Sequence, residues 1–292
     1  MLGAIIGDTV GSTYEFHNTK DYNFKLFPKG SKFTDDTIMS LAVANTLMGC
    51  PNNYTEEYGI FEEEMVRLGQ MFPVPKGGYG GGFATWLFSP GLLFSYNDDD
   101  VMSSASGRHP YGSYGNGAAM RVSSIGWFYN GMSAYKMTCR AAYASADITH
   151  NSEQAERGAA AVANAIRLAR EGKSKEEIRD FIERDFKYDL HKTWEYWHPI
   201  YKWDSSCDGT VPQAIICFLD STSFEDAIRK AVSLGGDSDT LACITGGIAE
   251  AYYKEIPSFM VHKTMETLPS ILKDILKRFQ DTVGYWDIVR MI

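Results

Sequence analysis

Apolar residues recur at helical spacing along most of the chain, and this periodicity is the feature that most restricts its fold. The segments that show it are residues 38–48, 120–129, 135–146, 155–169, 176–186, 211–219, 224–234, 241–253, 259–268 and 271–279. Apolar side chains three or four positions apart lie on one face of a helix. Segments in which apolar and polar residues alternate, as in a half-buried strand, are almost absent. The sequence therefore predicts an all-α fold.

The chain shows no sign of division into parts. No linker rich in proline, serine or glycine interrupts the 292 residues, and no repeat or low-complexity tract is present. An apolar content of 44% supports a substantial core. We therefore expect one domain, residues 1–292, folded as a single compact helical bundle.

Charge and cysteine usage exclude several classes of protein. A net charge of −9 argues against a surface that neutralises phosphates, so direct nucleic-acid binding is not expected. No apolar stretch approaches the ~18 residues of a membrane span, and the first residues lack the basic region of a signal peptide. The five cysteines are scattered and form no Cys-x-x-Cys pair, which indicates buried free thiols in a reducing compartment. We expect a cytoplasmic protein.

Two acidic clusters stand about 200 residues apart, Thr34-Asp35-Asp36-Thr37 and Gly235-Gly236-Asp237-Ser238-Asp239-Thr240. Each one alone fits a simpler explanation, because Thr34 is a good N-cap and acidic residues favour the first turn of a helix. The second cluster also fits a glycine-rich turn with Asp caps. Both, however, present paired Asp residues followed by Thr, directly before a helical run. Closely packed carboxylates need a cation to stay ionised together, and Mg²⁺ prefers oxygen ligands. We therefore favour a shared metal site.

The first residues combine a packing signal with a candidate catalytic acid. Glycines at positions 3, 7 and 11 recur every fourth residue and give a helix a smooth face for close packing. Glu15 follows at the end of this segment. It is either a solvated acid at a helix end or, beside a metal cluster, a general acid or base.

Two further loops are rich in glycine, at residues 76–83 and 111–121. The first is too glycine-dense for a regular element and fits either a hinge or an anion-binding loop. Both expose backbone N–H groups before a helix, which suits phosphate oxygens without a basic side chain. His150 closes another helix, where a cation would offset the helix dipole.

Five sequence blocks occur in the order seen in the ADP-ribosylglycohydrolase family, and the chain resembles that family over nearly its whole length. The blocks are Gly3-Ala-x-x-Gly-Asp-x-x-Gly-x-x-x-Glu15-Phe16, Thr34-Asp-Asp-Thr37, Gly115-Asn-Gly-Ala-Ala-Met-Arg-Val122, Thr149-His150 and Gly235-Gly-Asp-Ser-Asp-Thr240. The resemblance implies an orthogonal helical bundle around two Mg²⁺ ions, with Mn²⁺ as a possible substitute. It also implies ADP-ribose, attached to a protein side chain, as the substrate.

The resemblance assigns roles to individual residues. The implied metal ligands are Thr34, Asp35, Asp36, Asp237, Asp239 and Thr240. Glu15 matches a mobile acidic residue of the family, and we expect Glu15 and Asp36 to be essential for catalysis, Glu15 as the proton-transfer group. The implied substrate-binding residues are Gly78, Tyr79, Gly80, Gly81, Ser113, Tyr114, Gly115, Asn116, Gly117 and His150.

Several alternatives stay open at the level of sequence. A non-catalytic member that binds ADP-ribose, or a crystallin-like structural member, has the same fold, and paired Mg²⁺ ions also suit a phosphoester hydrolase. The motifs concern the ADP-ribose half of the substrate and not the acceptor, so both arginine and serine stay open as the acceptor residue. Residues 18–31 and 188–208 are the variable loops. The aromatic residues of 188–208 form either a lid packed on the core or an adenine or acceptor surface. We expect a monomer.

Overall fold

The computed structural model describes residues 1–49, 60–89 and 107–292, and nearly all of their regular structure is helical. The helices are α1 (Leu2–Gly11), α2 (Asp35–Gly49), α3 (Ile60–Met71), α4 (Gly81–Phe88), α5 (Gly117–Met120), α6 (Ser123–Phe128), α7 (Ala134–Asp147), α8 (Glu153–Arg170), α9 (Lys175–Phe186), α10 (Trp194–Trp197), α11 (Cys207–Leu219), α12 (Phe224–Leu234), α13 (Ser238–Tyr253), α14 (Ser258–Thr267) and α15 (Ser270–Thr282). Two short strands, β1 (Glu255–Ile256) and β2 (Arg290–Met291), pair in parallel. The all-α prediction is confirmed.

Helix α1 lies at the centre of the bundle, with every one of its residues buried. Its glycine face rests directly on the backbone of α13. A Cβ built on Gly7 would lie 1.9 Å from the carbonyl oxygen of Ala242, and one on Gly3 would lie 2.4 Å from that of Gly246. The two helix axes can approach this closely only because these positions carry no side chain. The glycine spacing predicted this packing.

The predicted helical segments all contain helices, with boundary differences that have local causes. Ser174 and Glu177 form the capping box that starts α9, and Ser223 caps α12 through the backbone N–H of Asp226. The segment 120–129 divides into α5 and α6, since residues 121 and 122 leave the helix. Helices α3, α4 and α10 were not predicted.

One expectation about the glycine-rich segment 76–83 is wrong. Residues 77–80 are irregular, but Gly81, Gly82 and Phe83 form the first turn of α4, with Gly80 at the N-cap. Phe83, Trp86 and Leu87 are buried, and this apolar side offsets the poor helix propensity of the two glycines.

The cysteines and the lengths of the apolar helices can be compared with the sequence expectations. Cys139, Cys207, Cys217 and Cys243 are buried free thiols, whereas Cys50 lies outside the described residues. Within the described ranges, no helix combines the length and the apolar character needed to cross a bilayer.

Candidate active site

The two acidic clusters meet in the folded chain. Asp36 stands in the first turn of α2 and Asp239 in the first turn of α13, and both helix N-termini reach the same end of α1. The hydroxyl of Thr240 donates to Asp36 Oδ2 at 3.3 Å, and that of Thr34 reaches the same oxygen at 3.4 Å. The structure thus brings the N-terminal and C-terminal acidic residues into one site.

Glu15 joins this cluster from the end of the first segment. One carboxylate oxygen from each of Glu15, Asp237 and Asp239 lies within 4.8 Å of the others, a spacing that suits a common cation. Glu15 also lies against the glycine-rich loop, because a Cβ on Gly77 would be 2.6 Å from Glu15 Oε2. Gly77 has φ +79°, so both its backbone conformation and its closeness to Glu15 require glycine.

The carboxylates of the cluster raise one another's pKa values. Burial, followed by the charges of Asp237 and Asp8, raises the pKa of Glu15 to about 7. Burial and neighbouring carboxylates also raise the pKa of Asp36 and Asp239 well above the usual range. Ionising these groups together in a buried site is costly unless a cation neutralises them.

The residues present fit divalent magnesium. Among the described residues, Asp36 Oδ1 and Glu15 Oε2 are buried oxygens with no hydrogen-bond partner. Buried acceptors of this kind are normally satisfied. The surrounding donor set consists of carboxylate and hydroxyl oxygens, the hard ligands that Mg²⁺ and Mn²⁺ prefer over nitrogen and sulfur ligands.

Asp8 organises the first acidic cluster, and the sequence analysis did not identify it as a site residue. Its carboxylate is completely buried on α1 and accepts from the backbone N–H groups of Thr34 (3.0 Å) and Thr37 (3.1 Å). It also accepts from both threonine hydroxyls, at 2.8 Å from Thr34. Burial raises the pKa of Asp8 to about 6, although these bonds oppose the shift. A lone acid inside an otherwise apolar, glycine-spaced helix was the available signal.

Both glycine-rich loops border the cluster. An isolated β-bridge between Thr34 and Lys76 places residues 77–81 beside the first acidic cluster. The Tyr79 hydroxyl donates to the carbonyl of Phe72 at 3.0 Å, so it is anchored on the end of α3. The backbone of Gly78, Gly80 and Gly81 is left facing the cavity.

The second loop is tied to the C-terminal acidic cluster through Asn116. The Asn116 amide donates to Asp237 Oδ2 at 2.7 Å and to the Thr210 hydroxyl at 3.1 Å. Its side chain therefore holds the loop in place, while backbone groups of Gly115 and Gly117 remain at the cavity wall. Ser113 Oγ accepts from the Gly115 N–H at 3.1 Å, and Tyr114 is 61% exposed at the rim.

His150 is buried behind the second loop and is not a surface cation. Its Nδ1 lies 2.7 Å from the Thr149 hydroxyl, and a Cβ on Gly117 would be 3.1 Å from its Nε2. Burial and the charge of Arg121 lower the pKa of His150 well below its usual range. The alternative that His150 offsets a helix dipole as a cation is therefore wrong.

A single cavity of 710 Å³ collects these groups, a size typical of small-molecule sites. Its lining includes the predicted residues Glu15, Asp35, Asp36, Gly78, Tyr79, Gly80, Gly81, Ser113, Tyr114, Gly115, Asn116, Gly117, His150, Asp237, Asp239 and Thr240. Thr34 is the one predicted residue outside the lining, and it is fully buried beside Asp36. The cavity also reaches Phe16 and Trp203, whose rings stack at 5.6 Å between centroids.

The aromatic segment 188–208 belongs mainly to the core. Tyr188 and Tyr201 are buried, and Trp194 donates through its indole N–H to the carbonyl of Lys230 at 2.9 Å. Of the six aromatic residues that the sequence analysis considered there, Trp203 alone reaches the cavity. The packed lid is the better description, with one aromatic side chain left at the mouth.

Comparisons with known proteins agree with the fold and the motifs. A family model described as ADP-ribosylglycohydrolase matches residues 1–284. The chain is similar to human ADP-ribosylhydrolase ARH3, with 29% identity over 87% of this chain and 84% of the relative. It is also similar to the putative ADP-ribosyl glycohydrolase L543 of Acanthamoeba polyphaga mimivirus, with 27% identity over 91% and 89% of the two chains.

Two further similarities are more distant. The ADP-ribosylarginine hydrolase Tri1 of Pseudomonas putida is 24% identical over 87% of this chain and 69% of its own. A solved structure titled ADP-ribosylglycohydrolase-related protein complex superimposes with a TM-score of 0.61 at 20% identity, covering 97% of this chain and 94% of the other. At that identity, the structural likeness concerns the fold alone.

Proposed function

The chain belongs to the ADP-ribosylglycohydrolase family, and from that premise we propose that it hydrolyses the glycosidic bond between ADP-ribose and a protein side chain. The observation that carries the proposal is the meeting of Glu15, Asp36, Asp237 and Asp239 at one cavity bordered by two glycine loops. ADP-ribose contains a sugar, which suits the acidic cluster and its metal ions, and a diphosphate, which suits the glycine loops.

The acidic residues would hold two Mg²⁺ ions, with Thr34, Asp35, Asp36, Asp237, Asp239 and Thr240 as the proposed ligands. When bound, such ions supply Lewis-acid polarisation and orientation of substrate oxygens and water. The unpartnered oxygen of Asp36 and the raised pKa values of Asp36 and Asp239 support this assignment. Asp8 would keep Thr34 and the start of α2 in place, since it fixes both the backbone and the side chain of Thr34.

Glu15 is the proposed proton-transfer group. This half-buried residue lines the cavity beside Asp237 and Asp239. A carboxyl group at this position can give a proton in one step and take one in another. Hydrolysis adds water across the glycosidic bond, so the acceptor leaves with one proton and the anomeric carbon gains a hydroxyl. Glu15 would move that proton to the acceptor or from the water.

The glycine loops would bind the diphosphate. Gly78, Gly80 and Gly81 approach from the side of the first acidic cluster, and Gly115 and Gly117 approach from the second. The N–H groups of Gly78 and Gly115 already donate to the Pro75 carbonyl and to Ser113 Oγ, both at 3.1 Å, so the proposed donors to phosphate oxygens are those of Gly80, Gly81 and Gly117. Backbone donors add no basic side chain, which agrees with the acidic composition of the chain. The 2.7 Å hydrogen bond from Asn116 to Asp237 would hold the second glycine loop at a fixed distance from the metal ligands.

The proposal is tested by product analysis on defined substrates. The protein is incubated with Mg²⁺ and with arginine-, serine- or O-acetyl-linked ADP-ribose, and released ADP-ribose is measured by chromatography. Release that depends on Mg²⁺ and is lost in Glu15→Gln supports the proposal, and the preferred substrate identifies the acceptor. AMP or free phosphate as the product would instead indicate a phosphoester hydrolase. Tight ADP-ribose binding without turnover of any substrate would indicate a non-catalytic member.

A further inference from the structure

A buried arginine at the cavity lining, Arg121, donates a hydrogen bond to the residue before His150. Arg121 is 1% exposed, and its Nη2 donates to the Thr149 hydroxyl oxygen at 2.9 Å and to the carbonyl of Ser145. Its Nε contacts the Ser145 hydroxyl at 3.3 Å. Burial lowers the pKa of Arg121 only to about 10, so the guanidinium stays charged at neutral pH. A guanidinium has donors and no acceptor, hence the Thr149 oxygen must accept from it.

The direction of the next hydrogen bond then follows from the acceptors around Thr149. Its hydroxyl has one proton and two neighbours that can accept it, the carbonyl of Ala146 at 3.5 Å and His150 Nδ1 at 2.7 Å. The Ala146 carbonyl already accepts from the backbone N–H groups of Thr149 (3.0 Å) and His150 (2.7 Å). Since a carbonyl oxygen has two lone pairs, the Thr149 proton goes to His150 Nδ1.

This direction sets the state of the imidazole ring. A ring nitrogen that accepts a hydrogen bond carries no proton, so the single proton of neutral His150 is on Nε2. A second proton would place an imidazolium close to the buried charge of Arg121. Nε2 faces the second glycine loop, since a Cβ would lie 3.1 Å from it at Gly117 and 3.6 Å from it at Gly115.

We propose that Arg121 and Thr149 are positioning residues that fix His150 as its Nε2–H tautomer, so that the ring presents a hydrogen-bond donor to a diphosphate oxygen of ADP-ribose. The opposite tautomer would turn a lone pair toward the same oxygen and repel it. The identity of the ligand rests on the proposed function, whereas the tautomer rests only on the hydrogen bonds above.

The tautomer is measured directly by nitrogen NMR of the protein labelled with ¹⁵N-histidine. The chain contains six histidines, so the His150 signals are assigned by their loss in His150→Gln. In the wild type we expect an unprotonated Nδ1 and a protonated Nε2 for His150. A protonated Nδ1 in the wild type overturns the proposal, whatever the enzyme does.

Matched variants of Thr149 connect the tautomer with binding. Thr149→Ser keeps the hydroxyl, and we expect the wild-type spectrum and wild-type ADP-ribose affinity. Thr149→Val keeps the shape but loses the hydroxyl, and we expect mixed tautomers and a dissociation constant about tenfold to a hundredfold higher by calorimetry. An unchanged tautomer in Thr149→Val, or equal affinity in the two variants, contradicts the proposal.

Arg121→Met tests the hydrogen bond from Arg121 to Thr149, after circular dichroism has shown that the variant is folded. Without the guanidinium, the Thr149 hydroxyl proton can point to the side that Arg121 occupied. The Thr149 oxygen can then accept from Nδ1–H, so we expect a rise in that tautomer. If Arg121→Met does not fold, the Thr149 pair still decides the question. If the wild type binds no ADP-ribose but shows the expected tautomer, the proposed function fails and the histidine assignment stands.

Discussion

The side-chain amide of Asn18 and the backbone of Gly236 exchange two hydrogen bonds, although 218 residues separate them. Gly236 N–H donates to Asn18 Oδ1 at 2.6 Å, and Asn18 Nδ2 donates to the Gly236 carbonyl at 2.8 Å. The same Nδ2 reaches the carbonyls of Tyr14 and Glu15, both at 2.7 Å. One amide therefore connects the backbone of the proposed proton-transfer residue to the turn that precedes Asp237.

This connection predicts that Asn18→Ala lowers turnover without removing any catalytic group. The Glu15 segment loses its link to Gly236, so Glu15 should spend less time in the productive position. We expect a decrease in kcat of about tenfold, measured with the preferred ADP-ribosylated substrate. His17→Ala, one position away and exposed, is the matched control and should retain wild-type kcat. Equal rates for the two variants would show that the amide link does not position Glu15.

The acidic cluster predicts that Asp239→Asn removes both activity and stabilisation by Mg²⁺. A ligand that binds only the folded state stabilises by about 2.7 kcal/mol at a hundred times its Kd, which raises Tm by several degrees in a chain of this size. We expect that rise in the wild type on adding Mg²⁺ after chelation, and little or none in Asp239→Asn. Asp274→Asn, at an exposed ion pair on α15, should respond like the wild type. A wild-type response of Asp239→Asn to Mg²⁺ would contradict the ligand assignment.

Glu15→Gln should separate proton transfer from metal binding. Removing a general acid or base typically costs ~10²–10⁴ in rate, and we expect a decrease in kcat within that range. The Mg²⁺-dependent increase in Tm should persist, since the other acidic residues of the cluster are intact. If Glu15→Gln loses the thermal response as well, Glu15 is better described as a metal ligand. Its carboxylate lies close enough to those of Asp237 and Asp239 to share a cation with them.

Patterns within short segments predicted the helices, and the matching chemistry of the two acidic clusters predicted that they meet. Other interactions between distant segments leave no pattern in a single sequence. The glycine spacing in α1 predicted close packing, but nothing in a single sequence shows that α13 is the partner. Asp8 was missed because its importance comes from the threonines it binds at positions 34 and 37. Asn18 was treated as part of a variable loop for the same reason. Gly81 and Gly82 are helical because burial of neighbouring side chains outweighs propensity, a tertiary effect.

The packing of α1 on α13 predicts that Gly7→Ala is strongly destabilising. The added methyl group would lie 1.9 Å from the Ala242 carbonyl oxygen, and a backbone atom cannot move aside without separating the helices. We expect a loss of about 3 kcal/mol or more in the free energy of unfolding, measured by urea denaturation. Gly49→Ala is the control, because a Cβ there meets no atom of the described residues within 4 Å and the helix propensity of alanine is higher. Similar stabilities for the two variants would contradict the close contact.

A carboxyl pair outside the cavity lining, Asp147 and Glu156, predicts how stability depends on pH. Burial, followed by the charge of Glu156, raises the pKa of Asp147 to about 7, and Asp147 Oδ1 is buried without a hydrogen-bond partner among the described residues. Between the unfolded pKa near 4 and the folded pKa near 7, the folded state keeps a proton that the unfolded state releases. Stability from this group therefore falls as pH rises through that interval.

Asp147→Asn removes this pH-dependent loss. Relative to the wild type, the variant should gain about 1 kcal/mol more stability at pH 8 than at pH 5, a value reduced for the partial exposure of Asp147. Glu156→Gln should also reduce the loss of stability between pH 5 and pH 8, because the charge of Glu156 is one cause of the raised pKa of Asp147. Asp180→Asn, an exposed site on α9, provides the comparison and should show no such dependence. Urea denaturation at the two pH values measures all three variants, and a stability difference for Asp147→Asn that is the same at both would show that Asp147 ionises normally in the folded protein.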